Sequence, residues 1–324
     1  MKKETKTQLG GALILLLAAA VWGFGFVAQD LGTEHVGPLT FQSSRVLLAA
    51  LTLAAIWLVR DLIRRGKGTY VPMSAEEKKQ LFIGGPVCGA VLCVASTLQQ
   101  FGITNNDTSP GKDAFVTALY IVFVPVIGLF LGKRAKWHVY LCVLVALFGL
   151  WLLCMSGSSL SVGDVQLMIC SVLFACYITV VGHFSPRVDG VRLSCLQFFT
   201  IFLLCVGPAL IWERPTWNDI AAAGLAILYS GCVSAAGGYT FQIIGQRYTP
   251  PTAASLVMSL ESVFAVIASA ILIPDLAPFT VREVIGMIVI FIAIICSQID
   301  LPALISKKPP DAGEPPRKNQ TEQS

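Results

Sequence analysis

Apolar residues along this chain come in runs of about twenty, separated by short stretches that hold nearly all of the charge. Coiled as α-helix at about 1.5 Å per residue, a run of that length crosses about 30 Å of hydrocarbon. The pattern predicts spans at Leu9–Val27, Pro38–Val59, Leu81–Phe101, Ser109–Leu131, Trp137–Met155, Asp164–Phe184, Leu193–Trp212, Asn218–Phe241, Thr249–Ile273 and Val281–Ile299. The first run is too long for the apolar part of a cleaved signal peptide and lacks a small-x-small cleavage site, so it is expected to stay. The fold class that follows is an all-α membrane protein of ten transmembrane helices.

Polar punctuation supports the same division. Ser74-Ala-Glu-Glu77 and Thr280-Val-Arg-Glu283 have capping-box spacing ahead of the third and tenth spans. Composition agrees: 55% of residues are hydrophobic and 13% charged, where a soluble domain carries about 25% charged. Nineteen of the 23 basic residues fall on the side of the N-terminus, and only Lys112, Arg214 and Arg282 on the other, with Arg45 inside a span. Short cytoplasmic loops retain positive charge, so both termini are expected in the cytoplasm, in a plasma membrane of the bacterial inner-membrane type. The net charge of +4 then reflects sorting across a bilayer, and no nucleic-acid partner is expected. The tail beyond Ile305, with Lys307-Lys308-Pro309-Pro310, is expected to be disordered.

Self-similarity divides the chain in two. Thr97-Leu98-Gln99-Gln100-Phe101-Gly102 resembles Thr240-Phe241-Gln242-Ile243-Ile244-Gly245 at an offset of 143, and each copy leads into a turn, Thr108-Ser109-Pro110 or Tyr248-Thr249-Pro250. A Ser or Thr before Pro is the chemistry that opens a helix. Five spans separate the copies, and an odd number places the second upside down in the bilayer. Such inverted repeats recur in secondary transporters, with the substrate site near the midplane between them.

Trp22-Gly23-Phe24-Gly25-Phe26, Arg45–Leu51, Ala114–Val126 and Ala254–Phe264, with Glu261 and Ser262 in the last, resemble the EamA-type branch of the drug/metabolite transporter superfamily across residues of roughly 9 to 300. The resemblance implies a cytoplasmic N-terminus at 1–8, five-helix repeats at 9–155 and 164–299, and a cytoplasmic tail at 300–324. It also implies an exporter or metabolite carrier with a cavity lined by the first, third and fourth helices and their counterparts. Ser262 stands where the family has proline after the acidic residue, which puts a kink in doubt.

Glu261 lies about 18 Å along its helix from Thr249, near the midplane. Leu256, Leu260, Val263, Ile267 and Ile271 suggest a lipid-facing stripe, with Glu261 turned away from it toward Ala254, Ala265 and Ala268. A carboxyl there is either a proton relay or substrate contact, or a protonated group hydrogen-bonded to neighbouring helices. Arg45 snorkels or pairs with an acid. Gln99, Gln100 and Gln242 line two gates or bond between helices. Lys112, in a first helical turn against the dipole, pairs with Asp113 or Asp107 or draws anions to an outer vestibule. Trp22, Tyr120, Tyr177 and Tyr239 either stack on an organic cargo or pack. Asn106-Asp107-Thr108 matches a glycosylation sequon.

The ten cysteines sit inside apolar spans without CxxC spacing, and His35, His138 and His183 are scattered, so no metal and no cofactor are expected. HExxH, GxSxG and ATP-binding motifs are missing, which leaves a membrane-embedded lipid-modifying enzyme a remote alternative. The function expected is secondary transport of a small organic metabolite by alternating access, coupled to protons through Glu261 or independent of ions. Its partners are that small molecule, the lipid bilayer and, with no interface identified, a second copy in a homodimer.

Overall fold

The computed structural model describes residues 2–106, 109–133, 136–154, 161–273 and 281–298, and every regular element among them is helical. In order these are α1 Lys2–Thr33, α2 Pro38–Gly66, α3 Ala75–Thr104, α4 Pro110–Ala118, α5 Tyr120–Phe130, α6 Trp137–Cys154, α7 Val162–Phe184 and α8 Gly190–Pro208. There follow a π-helical turn Ala209–Glu213, α9 Trp217–Ala222, α10 Gly224–Leu228, a π-helical run Tyr229–Tyr239, α11 Thr240–Gln246, α12 Pro251–Met258, α13 Glu261–Leu272 and α14 Val281–Gln298.

Helix starts follow their capping residues. Ser74 accepts from Glu77 N at 3.1 Å to open α3. Ser109 accepts from Lys112 N with Pro110 following, and Ser161 with Asp164 forms a full capping box for α7. Thr249 is not the expected cap. Pro250 takes that position without a side-chain bond, and Thr249 lies buried against α1 at Gly11. Thr280, Asp107, Thr108, Met155 and the tail from 299 onward lie outside the described residues. α1 begins seven residues before the expected span, because a helix need not stop where its apolar run does.

Seven of the described helices or helix pairs are long and apolar enough to cross a membrane: Gln8–Thr33, Pro38–Gly66, Ala75–Thr104, Pro110–Phe130, Val162–Phe184, Gly190–Glu213 and Pro251–Leu272. Two shorter apolar helices, Trp137–Gly149 and Val284–Cys296, and the interrupted run 217–246 occupy the other three expected positions.

The packing carries a two-fold pattern. α6 lies on α14 and α2 on α8, while α3 against α7 is matched by α1 against α11 and the π run. A Cβ on Gly102 would meet Leu167 and the Gly163 carbonyl; one on Gly245 would meet Leu15 and the Gly11 carbonyl. The two crossings are the same contact, with α1 positions recurring 152 residues later in α7. Matched helices run antiparallel. Asp61 near the end of α2 meets Arg192 in the first turn of α8, while Leu39 and Thr40 at the start of α2 donate to Glu213 beyond the end of α8. Arg282 in α14 reaches Trp151 O near the end of α6 in the same sense.

Both central spans break in the middle. α4 gives way to α5 at Leu119, and α12 to α13 at Ser259 and Leu260. The second break forms without the family proline. Ser259 and Ser262 hydroxyls donate to Leu256 O and Ser259 O at 2.8 and 2.6 Å, the back-bonding that bends helices. The break also disrupts the expected lipid stripe: Leu256 and Leu260 are buried, and only Ile271 of the five is exposed. A stripe computed on one unbroken helix does not survive a bend in it.

Candidate functional site: a cavity between the two repeats

A cavity lies where the two breaks meet. Its walls come from both halves in matched positions: Trp22 and Phe26 with Phe174 and Ile178, Gln99 with Gln242, and Thr117 and Tyr120 with Met258 and Glu261. Tyr120 and Glu261 are each the first residue of the helix that follows a break. Gln29, Arg45, Ser234 and Tyr239 complete the lining. The free volume is about 30 Å³, and one water needs about 10–15 Å³. The protein is therefore contracted around two or three waters' worth of space.

Each side chain is held by its element. Trp22 donates from its indole to Ser234 O at 3.2 Å and stacks at a tilt on Tyr239, centroids 4.8 Å apart. The π-helical run widens the helix where Trp22 enters, as such segments do at functional sites. A Cβ on Gly238 would come within 2.5 Å of the indole nitrogen, so only glycine leaves room for the ring. Tyr239 is further boxed by Tyr177 and Phe198 at 5.9 and 5.5 Å.

Two ionisable groups face this space. Glu261 is 4% exposed and its carboxyl lies beside the Tyr120 hydroxyl, yet among the described residues neither Glu261 Oε1 nor that hydroxyl makes a hydrogen bond of good geometry. Arg45, also 4% exposed, donates from Nε to Gln42 Oε1 and from Nη1 to Gln29 Oε1, both at 2.7 Å. Among the described residues no carboxylate lies within ion-pair distance of it.

The match to known proteins is with the EamA-like transporter family, over residues 9–155 and 161–298. The chain belongs to that family. An EamA-family chain of this kind is 24% identical over 298 residues to an "Uncharacterized transporter" of Archaeoglobus fulgidus, covering 90% of this chain and 87% of that one. It is 25% identical over 264 residues to "Uncharacterized transporter YwfM" of Bacillus subtilis, covering 78% and 82%. A solved crystal structure shares the fold with a TM-score of 0.68 at 16% identity, covering 90% of this chain and 98% of that one.

Within this EamA fold seven of the ten residues singled out from the sequence reach the cavity: Trp22, Arg45, Gln99, Tyr120, Tyr239, Gln242 and Glu261. The other three lie elsewhere. Gln100 is fully buried on another face of α3. Tyr177 is fully buried and donates to Gln197 Oε1 at 3.0 Å. Lys112 pairs at 3.0 Å with Asp164, an acid from a different helix that local sequence does not suggest. Asp164 also accepts from Asn106, whose buried amide bonds Asp113 as well and so is no exposed glycosylation acceptor. Arg45 neither snorkels nor meets an acid, because two amides reach it first. Gln99 and Gln242 line the same cavity. Phe26, Gln29, Thr117, Phe174, Ile178, Ser234 and Met258 were not foreseen, though a repeat offset of 152 applied to Trp22 would have pointed to Phe174.

Proposed function

We propose that this chain is a secondary transporter that exports a small organic metabolite across a bacterial plasma membrane by alternating access, with protons coupled through Glu261. One observation carries it: a buried carboxyl with an unpartnered oxygen stands at a helix break, in a cavity built in matched halves by two inverted repeats. A carboxyl in hydrocarbon is costly to keep charged, and gaining or losing a proton as the cavity wets and dries is what a coupling site does. The breaks at Leu119 and at Ser259 and Leu260 supply hinges on opposite sides of the cavity. Bending them alternately would widen the contracted space toward one face and then the other.

The test is flux in proteoliposomes under an imposed pH gradient, with a cargo first found by thermal shift, where a ligand at 100 times its Kd stabilises by about 2.7 kcal/mol. Glu261→Gln is expected to lose gradient-driven flux by at least about tenfold while still binding cargo. Unchanged gradient-driven flux in that variant removes the proton role. Wild-type flux that ignores the gradient makes the protein an ion-independent facilitator.

A further inference from the structure

The cavity is symmetric except at one corner. Ten of its fourteen lining residues form five repeat-matched pairs, and the four without a lining mate are Gln29, Arg45, Ser234 and Tyr239. Three of the four are linked: Gln29 bonds Arg45, and Tyr239 stands beside it. α2 and α8 begin at Pro38 and Gly190, the same 152 positions apart, so the repeat mate of Arg45 is Gln197 and that of Gly25 is Tyr177. In the second repeat the Tyr177 ring fills the corner and its hydroxyl occupies Gln197. In the first repeat Gly25 has no ring to offer, the Ser234 side chain fills the space beside it, and the position that Gln197 holds in the second repeat is taken by Arg45.

The amides around Arg45 orient it without neutralising it. Gln42 Nε2 is committed to Ser96 Oγ at 2.5 Å and Gln29 Nε2 to Gly25 O at 3.1 Å, so both glutamines present only their oxygens to the guanidinium. Nε and Nη1 are thereby spoken for, and among the described residues no hydrogen bond engages Nη2. A cation removed from water with only neutral partners is poorly compensated, and a planar fork with free donors matches a carboxylate. The wall next to it is Trp22, Phe26, Tyr239 and Phe174, which suits an apolar body.

We propose that the cargo is an organic carboxylate with an apolar or aromatic body, that its anionic end docks on Arg45, and that this corner, which carries a guanidinium in one repeat only, gives the cargo a single orientation in a cavity otherwise symmetric. The proposal rests on the transport reading and narrows it. Glu261 across the cavity stays available for its proton.

The probes are 3-phenylpropionate and 3-phenylpropionamide, which differ only in the carboxylate, with hexanoate and hexanamide as an aliphatic pair. Binding to the purified full chain is read by thermal shift. At least one carboxylate is expected to bind at least tenfold more tightly than its amide in the wild type, and about equally in Arg45→Gln. Because Arg45→Gln can fail to fold, a second measurement uses the wild type alone. The carboxylate protects Arg45 from phenylglyoxal, read by peptide mass spectrometry, and the amide does not. Equal affinity within both pairs, binding of neither carboxylate, or no protection of Arg45 overturns the proposal. Gradient-driven flux of a neutral or cationic cargo also overturns it while leaving the transport reading intact.

Discussion

Gly238 has its identity set by a residue more than two hundred positions away. Trp22 projects into the π-helical run with its indole nitrogen on Ser234 O, and a Cβ at 238 would sit 2.5 Å from that nitrogen. Gly238→Ala is expected to cost about 1–3 kcal/mol through overpacking, read as a lower unfolding temperature in detergent. Adding Trp22→Phe should return part of that loss, since contacting residues couple. Equal losses with and without the tryptophan would mean that the glycine serves the backbone instead. Trp22 was recognisable in the sequence as an intramembrane aromatic, but its partner was not, because glycine writes no sign of what fills the space beside it.

At the scale of elements, α2 and α8 are clamped to each other at both ends. Where α2 ends and α8 begins, Arg192 donates to Asp61 at 2.9 and 3.2 Å, lies 5.3 Å over Trp57, and is almost fully buried. Arg60 makes a two-bond fork with Asp189 at 2.9 Å, where the side chains are 23% and 28% exposed. At the opposite end the Glu213 carboxylate accepts from the first amides of α2 at 2.9 and 2.7 Å, the favourable placement for an anion. Burial separates the Arg192–Asp61 pair from the Arg60–Asp189 pair. Asp61→Asn strands a buried guanidinium and is expected to cost about 3–5 kcal/mol, whereas Asp189→Asn loses a wetter pair worth about 0.2–1 kcal/mol and keeps a capping side chain. Thermal unfolding of the two variants checks the order, and equal losses would contradict it. Burial alone would raise the Asp189 carboxyl, but the Arg60 hydrogen bonds and the Arg192 amide outweigh burial and hold it below the usual carboxylate range. Its contribution is therefore present above about pH 3.9, the unfolded value, and is lost as pH falls through the lower folded value. Thermal unfolding followed down to about pH 2 should show an acid-side loss of stability in the wild type that is smaller in Asp189→Asn.

At the scale of the whole molecule, the antiparallel pairing of α2 with α8 and of α6 with α14 makes the halves inverted copies, and the charge pattern predicts which way the assembly faces. Single cysteines placed at exposed Lys67 and Trp217, in a background without native cysteines, should report opposite sides. In intact cells an impermeant maleimide should label position 217 and spare 67, and the reverse pattern would overturn the cytoplasmic assignment. The fold class was legible because hydrocarbon imposes a length on every span and the charges between spans cannot easily cross it. The repeat was legible at Gln99 and Gln242 because backbone geometry, and with it the glycine three residues on, is needed in both copies. Membership of the cavity by Glu261 and Arg45 was within reach for a similar reason, since an ionisable group in an apolar run needs somewhere polar to face. Local sequence could determine none of the distant pairings: Lys112 with Asp164, Arg45 with Gln29, or the Tyr177 hydroxyl with Gln197. Those depend on which helices lie side by side after folding, and on the bend at Ser259 and Leu260 that turned an expected lipid stripe inward. The sequence thus determined the solvent, the number of expected passages and the symmetry, because each is written in periodicity and charge. Only the tertiary structure decided where that symmetry fails, because the asymmetry lies in a guanidinium held by two amides in one repeat and a glutamine held by a tyrosine in the other.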